Sequence, residues 1–425
     1  MSRRLLIAVC TMVVFVATAS PALAAAGTLD PTFGSSGVTT TDLGGQESVG
    51  GMAFASGSRP LVVGTDATVW FVARYHADGT LDDTFHGTGS TSIDFSLSGL
   101  ARAIHVDSLG RIVVAGFVND ASQGQEFAVA RFLADGTPDT AFSGDGKEEV
   151  HISSAADQAY AVTTDSSNRI ILAGYTTTST GGTRFALARL TNDGSPDTSF
   201  SGTGIVTTAV STNDLADAVT LDAKGRIVVA GWGKDGQKWA VARYRGGGAL
   251  DTAFSGDGIR IIGMGNAQQV ATAVAIDSKG RIDLGGYGES GSITNNCAAV
   301  RLLSNGDFDT GFSGDGKVVI ASTLAVHCDA LAATSNDRLV LVGDEPPGAG
   351  SSHDVYVARL TATGKRDATF GSNGVATFAH SSVIDSGKGV GIQSSAQNGR
   401  IVVAGDTQDG SPTFEDILLL GVRSS

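Results

Sequence analysis

Acidic side chains recur at one place in this chain, shortly before an apolar run of strand length. The residues at this place are Glu47, Asp157, Asp214, Gln269, Asp329 and Asp385, and a further segment has Gly99 there. Carboxylates gathered at one opening could bind a ligand, and paired carboxylates with separated pKa values could act as general acid and base. The sequence therefore nominates Glu47, Asp157, Asp214, Asp329 and Asp385 as candidate site residues. Asp157 and Asp214 are the pair expected in a hydrolase or lyase.

A second acidic element is the segment Ser-Gly-Asp-Gly, which begins at Ser143, Ser255 and Ser313. Calcium is the one cofactor that these loops leave open, and its candidate ligands are Asp145, Asp257 and Asp315. Calcium loops normally supply several oxygen ligands at alternating positions, whereas each of these segments supplies one carboxylate. A turn with a positive-φ glycine is therefore the favoured interpretation.

Other signatures of catalysis are missing from the sequence. No two of the seven histidines lie within five residues of each other, and there is no H-E-x-x-H, zinc-type cysteine pair or G-x-S-x-G segment. Two matches to the dinucleotide fingerprint, at Gly231 and Gly286, precede strand-like runs where a helix would be required. We therefore assign no catalytic residue and expect a protein that is not an enzyme.

The net charge and the N-terminal residues indicate where the protein is located and which partners it excludes. The net charge of -14 gives no basic face for nucleic acid and is typical of a soluble protein. Residues 1–26 have the pattern of a signal peptide, with Arg3 and Arg4 before an apolar stretch and cleavage expected after Ala24 or Ala26. The apolar stretch is shorter than the roughly 20 residues that span a bilayer, although an uncleaved anchor stays an alternative. The expected product is a secreted or cell-envelope monomer without a membrane span.

The elements that position these side chains are repeats. A five-residue tag with Asp second and Phe fifth occurs seven times, and its phenylalanines are Phe33, Phe85, Phe142, Phe200, Phe254, Phe312 and Phe370. Each repeat holds four strand-length runs, as in Gly204 to Thr208, Ala216 to Leu221, Arg226 to Ala230 and Trp239 to Tyr244. A period of 52–62 residues with four short strands is typical of a β-propeller.

The two ends of the repeat array complement each other. The first repeat begins with the tag and one strand, Val38 to Thr41, and the last stops after its third strand at Val422. Pairing these two would leave no open sheet edge. The sequence thus predicts an all-β, seven-bladed propeller of four-stranded antiparallel blades over residues 27–425, closed by its N-terminal strand.

Two further sets of residues are predicted to be structural. Arginines that end the last apolar run of six repeats are expected to pair with the tag aspartates, because bidentate Arg–carboxylate pairs can hold a recurrent turn. Cys297 and Cys328 are expected on one face in neighbouring blades. A disulfide between them is predicted if their Cα atoms lie about 4.4–6.8 Å apart, and two buried thiols are the alternative.

The motifs LDxTF-x-x-x-G, GRIVVAG and FAVARF-x-A-D-G, the last at Phe127 to Gly136, resemble the bacterial delta-60 repeat family over nearly the whole chain after residue 26. The resemblance implies export and a propeller with NHL-like strand order, in which the second run of each repeat lines the channel. It implies no settled activity. Our first hypothesis is a secreted binding or scaffold module that uses one loop face for a protein, glycan or surface partner. The alternatives are an extracellular hydrolase or lyase acting through channel-mouth carboxylates, and a purely structural envelope protein.

Overall fold

A computed structural model describes residues 25–122, 124–233, 238–265, 269–290, 293–322, 324–345, 353–381, 384–394, 399–408 and 415–425. Most of the predicted signal peptide, residues 1–24, lies outside this description. Within it the chain forms seven four-stranded antiparallel sheets, as the repeats predict. The described residues contain no apolar helix of membrane-spanning length.

Each sheet is one blade, and strands are numbered in chain order. The inner strands are β2 (Glu47–Ala55), β6 (Gly99–Val106), β10 (Asp157–Thr164), β14 (Leu215–Leu221), β18 (Val270–Ile276), β22 (His327–Ala333) and β26 (Gly389–Ile392). The second strands are β3 (Arg59–Asp66), β7 (Ile112–Asp120), β11 (Ile170–Thr177), β15 (Ile227–Gly233), β19 (Ile282–Ser290), β23 (Leu339–Glu345) and β27 (Ile401–Thr407).

The outer half of each blade is built the same way. The third strands are β4 (Val69–Arg74), β8 (Gly124–Phe132), β12 (Thr183–Leu190), β16 (Lys238–Tyr244), β20 (Ile293–Leu302), β24 (Asp354–Leu360) and β28 (Asp416–Val422). The outer strands are β5 (Ser90–Ile93), β9 (Lys147–Val150), β13 (Ile205–Thr208), β17 (Ile259–Ile262), β21 (Lys317–Val319), β25 (Val375–Phe378) and β1 (Val38–Thr41).

The ring closes where β1 pairs with β28, which confirms the predicted closure. The register runs from Val38 opposite Leu420 to Thr41 opposite Ile417. The fold also includes Ala26, which is buried and whose carbonyl oxygen accepts a hydrogen bond from the Gly371 amide. Ala26, the last residue of the predicted signal peptide, therefore packs against the propeller.

The core lies between blades. Leu61 and Val63 of β3 pack with Ile112 and Val114 of β7 in one buried cluster, and a similar cluster joins the last blade to the first. The middle strands of every blade are covered on both faces by neighbouring blades, which is why their sequences are apolar runs without alternation.

The tag ties each blade to the next. In blade 1 the Arg74 guanidinium donates to Asp82 at 2.7 Å, lies 4.6 Å from the centroid of the Phe85 ring, and donates from Nη1 to the carbonyl of Ala134 in blade 2. All seven tag phenylalanines have no exposed surface. The predicted pairing of arginines with tag aspartates therefore holds in this blade, and it recurs in Arg131–Asp139, Arg189–Asp197, Arg243–Asp251 and Arg359–Asp367.

Two blades depart from this pattern. Gly421 replaces the arginine of the last blade because a Cβ there would lie 2.4 Å from the Phe33 ring, and Arg400 pairs with Asp30 instead. In blade 5, Arg301 turns from the tag to Asp283, at 2.6 Å. The tag's Asp309 there pairs with Arg281.

Candidate ligand site in the central channel

The seven inner strands surround a cavity of about 550 Å³ on the propeller axis. One residue of each inner segment lines it at an equivalent place. We call this set the channel ring, and it consists of Gly50, Arg102, Tyr160, Asp217, Thr272, Asp329 and Lys388.

A β-bulge creates six of the seven ring positions. The pairing of β6 with β7 skips Arg102, and the pairing of β10 with β11 skips Tyr160 in the same way. Equivalent shifts occur at Gly50, Asp217, Thr272 and Asp329. A bulged residue is left out of the ladder and its side chain is re-aimed, so the ring can carry polar groups inside otherwise apolar strands. Lys388 immediately precedes β26 and takes the corresponding place.

Arg102 and Asp217 carry the unsatisfied polar atoms of the ring. The Arg102 guanidinium lies 4.2 Å from the centroid of the Tyr160 ring and 5.3 Å from that of Phe117. Its Nε and the Oδ2 of Asp217 are buried and have no hydrogen-bond partner among the described residues. Buried polar atoms normally have a partner, so two open ones in a channel wall indicate a place for a ligand.

The charge of Asp217 depends on its surroundings. Burial raises its pKa well above the ordinary value, Arg102 opposes this increase, and the negative charge of Asp329 adds to it. The neutral form of this carboxyl group is therefore more accessible than that of an exposed aspartate. Burial together with Asp217 and Asp329 also raises the pKa of the nearby Tyr287 to about 12, which keeps its hydroxyl group protonated.

Lys388 and Asp329 form the second charged part of the ring, with 2.8 Å between Nζ and Oδ2. Burial alone would lower the pKa of Lys388, but the attraction of Asp329 prevails and the pKa is raised. Between the two charged pairs, the Thr272 hydroxyl donates to the carbonyl of Cys328 at 2.7 Å.

The acidic residues nominated from sequence lie elsewhere, with one exception. Asp157, Asp214 and Asp385 are fully buried and do not line the channel. Each caps the loop that leads into its inner segment: Asp157 accepts hydrogen bonds from the amides of Ile152 and Ser153. Asp214 and Asp385 accept equivalent pairs of amide bonds. These three residues therefore cap loops and are not among the residues that line the channel.

Asp329 lies three residues further along its blade than Asp157 does in its own. The position equivalent to Asp157 in that blade is the buried Val326, because the bulge follows Cys328 in β22 just as it follows Ala159 in β10. Asp329 thus lines the channel for a reason other than the one proposed. Gln269 also caps a loop, accepting from the Met264 amide at 2.5 Å.

The Ser-Gly-Asp-Gly segments are turns that join blades. Asp145, Asp257 and Asp315 are exposed, and each accepts a hydrogen bond from the backbone amide two residues later. The serine amides donate to the next blade, as Ser143 does to the Asp193 carbonyl at 2.9 Å. These geometries support the turn interpretation over the calcium loops.

Cys297 and Cys328 are joined in a disulfide with 5.1 Å between their Cα atoms. Cys297 lies in β20 and Cys328 in β22, so the bond links neighbouring blades beside the ring residue Asp329. The connection between the second and third strands of blade 2 is short, because β7 and β8 extend through most of residues 117–126. Residues 346–352 and 409–414 of two other loops lie outside the described residues.

Four segments, residues 61–85, 110–142, 166–200 and 225–254, match the β-propeller domain of unknown function DUF5122. These four segments are therefore similar to DUF5122 repeats. Each matched segment includes most or all of a second strand, a whole third strand and the tag, ending at its phenylalanine. The repeat model therefore describes the frame and omits the inner strand that carries the channel ring.

Solved structures show the same fold at low identity. A catalytically inactive virginiamycin B lyase from Staphylococcus aureus, solved with quinupristin, is 12% identical, with a TM-score of 0.51 over 91% of this chain and 99% of that one. An ulvan lyase of polysaccharide lyase family PL25 is 10% identical, with a TM-score of 0.46 over 91% and 96% of the two chains. No curated protein matches the sequence. At 12% identity, the likeness to the virginiamycin B lyase shows the propeller fold alone.

Proposed function

We propose that this chain is an exported, non-enzymatic binding protein of the delta-60 type whose channel ring holds a small hydroxylated acid. The terminal uronic acid of an acidic glycan belongs to this chemical class. The observation that carries the proposal is the pair of unpartnered atoms in the channel wall, Arg102 Nε and Asp217 Oδ2. A carboxylate would accept from Arg102, and a hydroxyl group would complete the hydrogen bonding of Asp217.

The local charge supports an acidic ligand although the whole chain has a net charge of -14. The ring contains two cationic side chains, Arg102 and Lys388, against the carboxyl groups of Asp329 and Asp217, and the pKa of Asp217 is raised by burial. Low-dielectric walls strengthen such local charges relative to distant surface charges.

The size of the channel supports a small ligand. Its volume of about 550 Å³ lies within the range of roughly 300–1,000 Å³ that is usual for small-molecule sites. A side chain does not fit at Gly50, because a Cβ there would lie 2.2 Å from the Ala101 carbonyl oxygen. This side of the ring therefore carries no side chain and stays open. The half-buried ring of Tyr160 adds an aromatic surface beside Arg102.

The hydrogen bonds of Asp157 and Asp214, the pair nominated as catalytic, favour binding over the hydrolase or lyase alternative. Asp157 and Asp214 accept backbone amides through one oxygen and a serine hydroxyl through the other, which engages both carboxylates in loop capping. Export rests on the signal-peptide pattern, and an extracellular or envelope location is part of the proposal. A purely structural role would leave the open ring atoms without a purpose.

The test is calorimetric titration of the purified protein with glucuronate and with glucose as its neutral counterpart. We expect glucuronate to bind more tightly, and Arg102→Gln to remove that preference. A hydrogen bond to a charged group contributes about 1.5–3 kcal/mol, so the loss should be about tenfold or more. Arg184→Gln, at an exposed arginine on β12, is the matched control and should bind as the wild type does.

Two results would overturn the proposal. One is the absence of saturable binding for glucuronate and for related hydroxy acids. The other is an unchanged preference for the acid in the Arg102→Gln protein. A protein that binds no small molecule in either form would favour the structural envelope alternative.

A further inference from the structure

We propose a calcium site at the seam where the propeller closes, formed by Asp42, Glu47 and Asp416. These residues come from three segments that meet there. Asp42 directly follows β1, Glu47 begins β2 and Asp416 begins β28. The site is separate from the channel ring and does not depend on the function proposed for it.

The spacing of the three side chains suits one cation. One carboxylate oxygen from each lies within 4.8 Å of the other two, and no other group of three or more acidic, histidine or cysteine side chains in the described part of the chain does so. Calcium binds oxygen ligands at about 2.3–2.6 Å, so two ligands on opposite sides of the ion lie about 4.6–5.2 Å apart. Three oxygens with this separation can therefore share one ion.

Glu47 supplies the independent indication of a ligand. It has no exposed surface, and its Oε1 accepts from the Gly45 amide at 3.0 Å. Its Oε2 is buried and has no hydrogen-bond partner among the described residues. A buried carboxylate oxygen without a partner is costly, and a bound cation would satisfy it.

The same position in other blades shows that the free oxygen is specific to the seam. Asp157, Asp214 and Asp385 each engage one oxygen with two backbone amides and the other with a hydroxyl group. Glu47 is the longer residue, accepts from the Gly45 amide through Oε1, and retains Oε2 without a hydrogen-bond partner among the described residues. Among the described residues, the position that caps a loop in other blades thus becomes part of a candidate metal site at the closure.

The charges at the seam also favour a cation. Burial raises the pKa of Glu47, the Gly45 amide opposes this, and the negative charges of Asp66, Asp42 and Asp416 raise it further. A divalent ion would reverse that effect and hold the carboxylates ionised. Asp42 is exposed, which leaves a route from solvent to the buried Glu47. An all-carboxylate set of ligands matches the hard cation Ca²⁺.

Calcium at this place would fasten the first and last blades. The Glu47 amide already donates to the Glu415 carbonyl at 2.9 Å, and Thr41 pairs with Ile417 beside it. Because these three segments come together only in the closed ring, the ion would bind the native state and raise its melting temperature.

The experiment uses the full purified chain after treatment with EDTA and removal of the chelator. Equilibrium dialysis against CaCl₂ should show one ion per chain, and scanning calorimetry should show a higher melting temperature with CaCl₂ than with EDTA. Glu47→Gln and Asp42→Asn should each weaken calcium binding by about tenfold or more, since even residues that only support metal ligands contribute this much. Asp42 is exposed, so its variant remains informative if Glu47→Gln folds poorly.

Asp257→Asn is the matched control, because Asp257 is an exposed turn carboxylate outside the cluster. It should bind calcium as the wild type does. The proposal is overturned if the wild type shows no saturable binding at millimolar CaCl₂, or if Asp42→Asn retains full affinity. A control variant that loses calcium to the same extent would likewise place the site elsewhere.

Discussion

The tag aspartates look alike in sequence, but the structure predicts very different effects when they are replaced. Asp197 pairs with Arg189 at 2.7 Å, and only 2% of the Arg189 side chain is exposed. Asp309 has the same place in its tag, yet Arg301 of its blade turns to Asp283 instead. We therefore expect Asp197→Asn to destabilise the protein strongly and Asp309→Asn to have little effect.

The magnitudes follow from burial. Removing one partner of a buried ion pair costs about 3–5 kcal/mol, because Arg189 would keep its charge without a counterion. Asp309 pairs with Arg281, whose side chain is 16% exposed and which retains Asp277 at 2.6 Å. Loss of such a partly exposed pair costs about 1 kcal/mol or less. With an unfolding entropy of about 2.1 cal/mol/K per residue, 3–5 kcal/mol lowers the melting temperature of a chain of this length by about 3–6 °C.

The assay is scanning calorimetry of both variants at pH 7. Burial alone would raise the pKa of Asp197, but bonds from Ser199 and the charge of Arg189 prevail and lower it. The pair therefore stabilises the fold above the unfolded pKa of about 4 and is lost as pH falls through the lower folded value. The loss of stability caused by Asp197→Asn should therefore be smaller in acid than at pH 7. Equal shifts for the two variants at pH 7 would refute the argument from burial.

Two further predictions concern the seam and the disulfide. Burial raises the pKa of Asp406 to about 7, so the folded state holds a proton that the unfolded chain releases near pH 4. This contribution, at most about 4 kcal/mol, is complete below pH 4 and is lost as pH rises through 7. Asp406→Asn should therefore flatten the change in melting temperature between pH 5 and pH 8, and an unaltered slope would contradict the assignment. The Cys297–Cys328 bond closes a loop with a sequence separation of 31, so replacing both cysteines with alanine should cost about 3–4 kcal/mol in denaturant titration. A decrease in the free energy of unfolding of less than about 1 kcal/mol would contradict a stabilising role of the disulfide.

The architecture of the blades could largely be predicted from the sequence because the residues that build it repeat. The tag phenylalanines, the seven blades and the closing strand β1 all follow from spacing and from apolar runs. The exchange of Arg301 from Asp309 to Asp283 was not predicted, since it depends on which carboxylate lies within reach of a buried guanidinium. Asp157 was nominated as a site residue because an aspartate that caps a loop and an aspartate that binds a ligand look the same in sequence.

The channel ring was missed because its residue types do not repeat. Arg102, Tyr160 and Asp217 share a backbone position but no chemistry, and a bulge changes the register that alternation would predict. A signal was nevertheless present. Six of the seven ring residues are flanked on both sides by alanine, glycine or cysteine, as in Ala216-Asp217-Ala218. A polar residue between two small ones inside an apolar strand could have located the ring.

The bulges have a consequence for how such a protein can change. A ring residue takes no part in the strand ladder, so its replacement alters the channel without disturbing the bonds that hold a blade. The seven positions already range from the bare Gly50 to the long Arg102 on one common frame. A combinatorial library restricted to these positions would sample new channel chemistries while selection for folding stays nearly constant, and the same independence would let related propellers diverge in what they recognise.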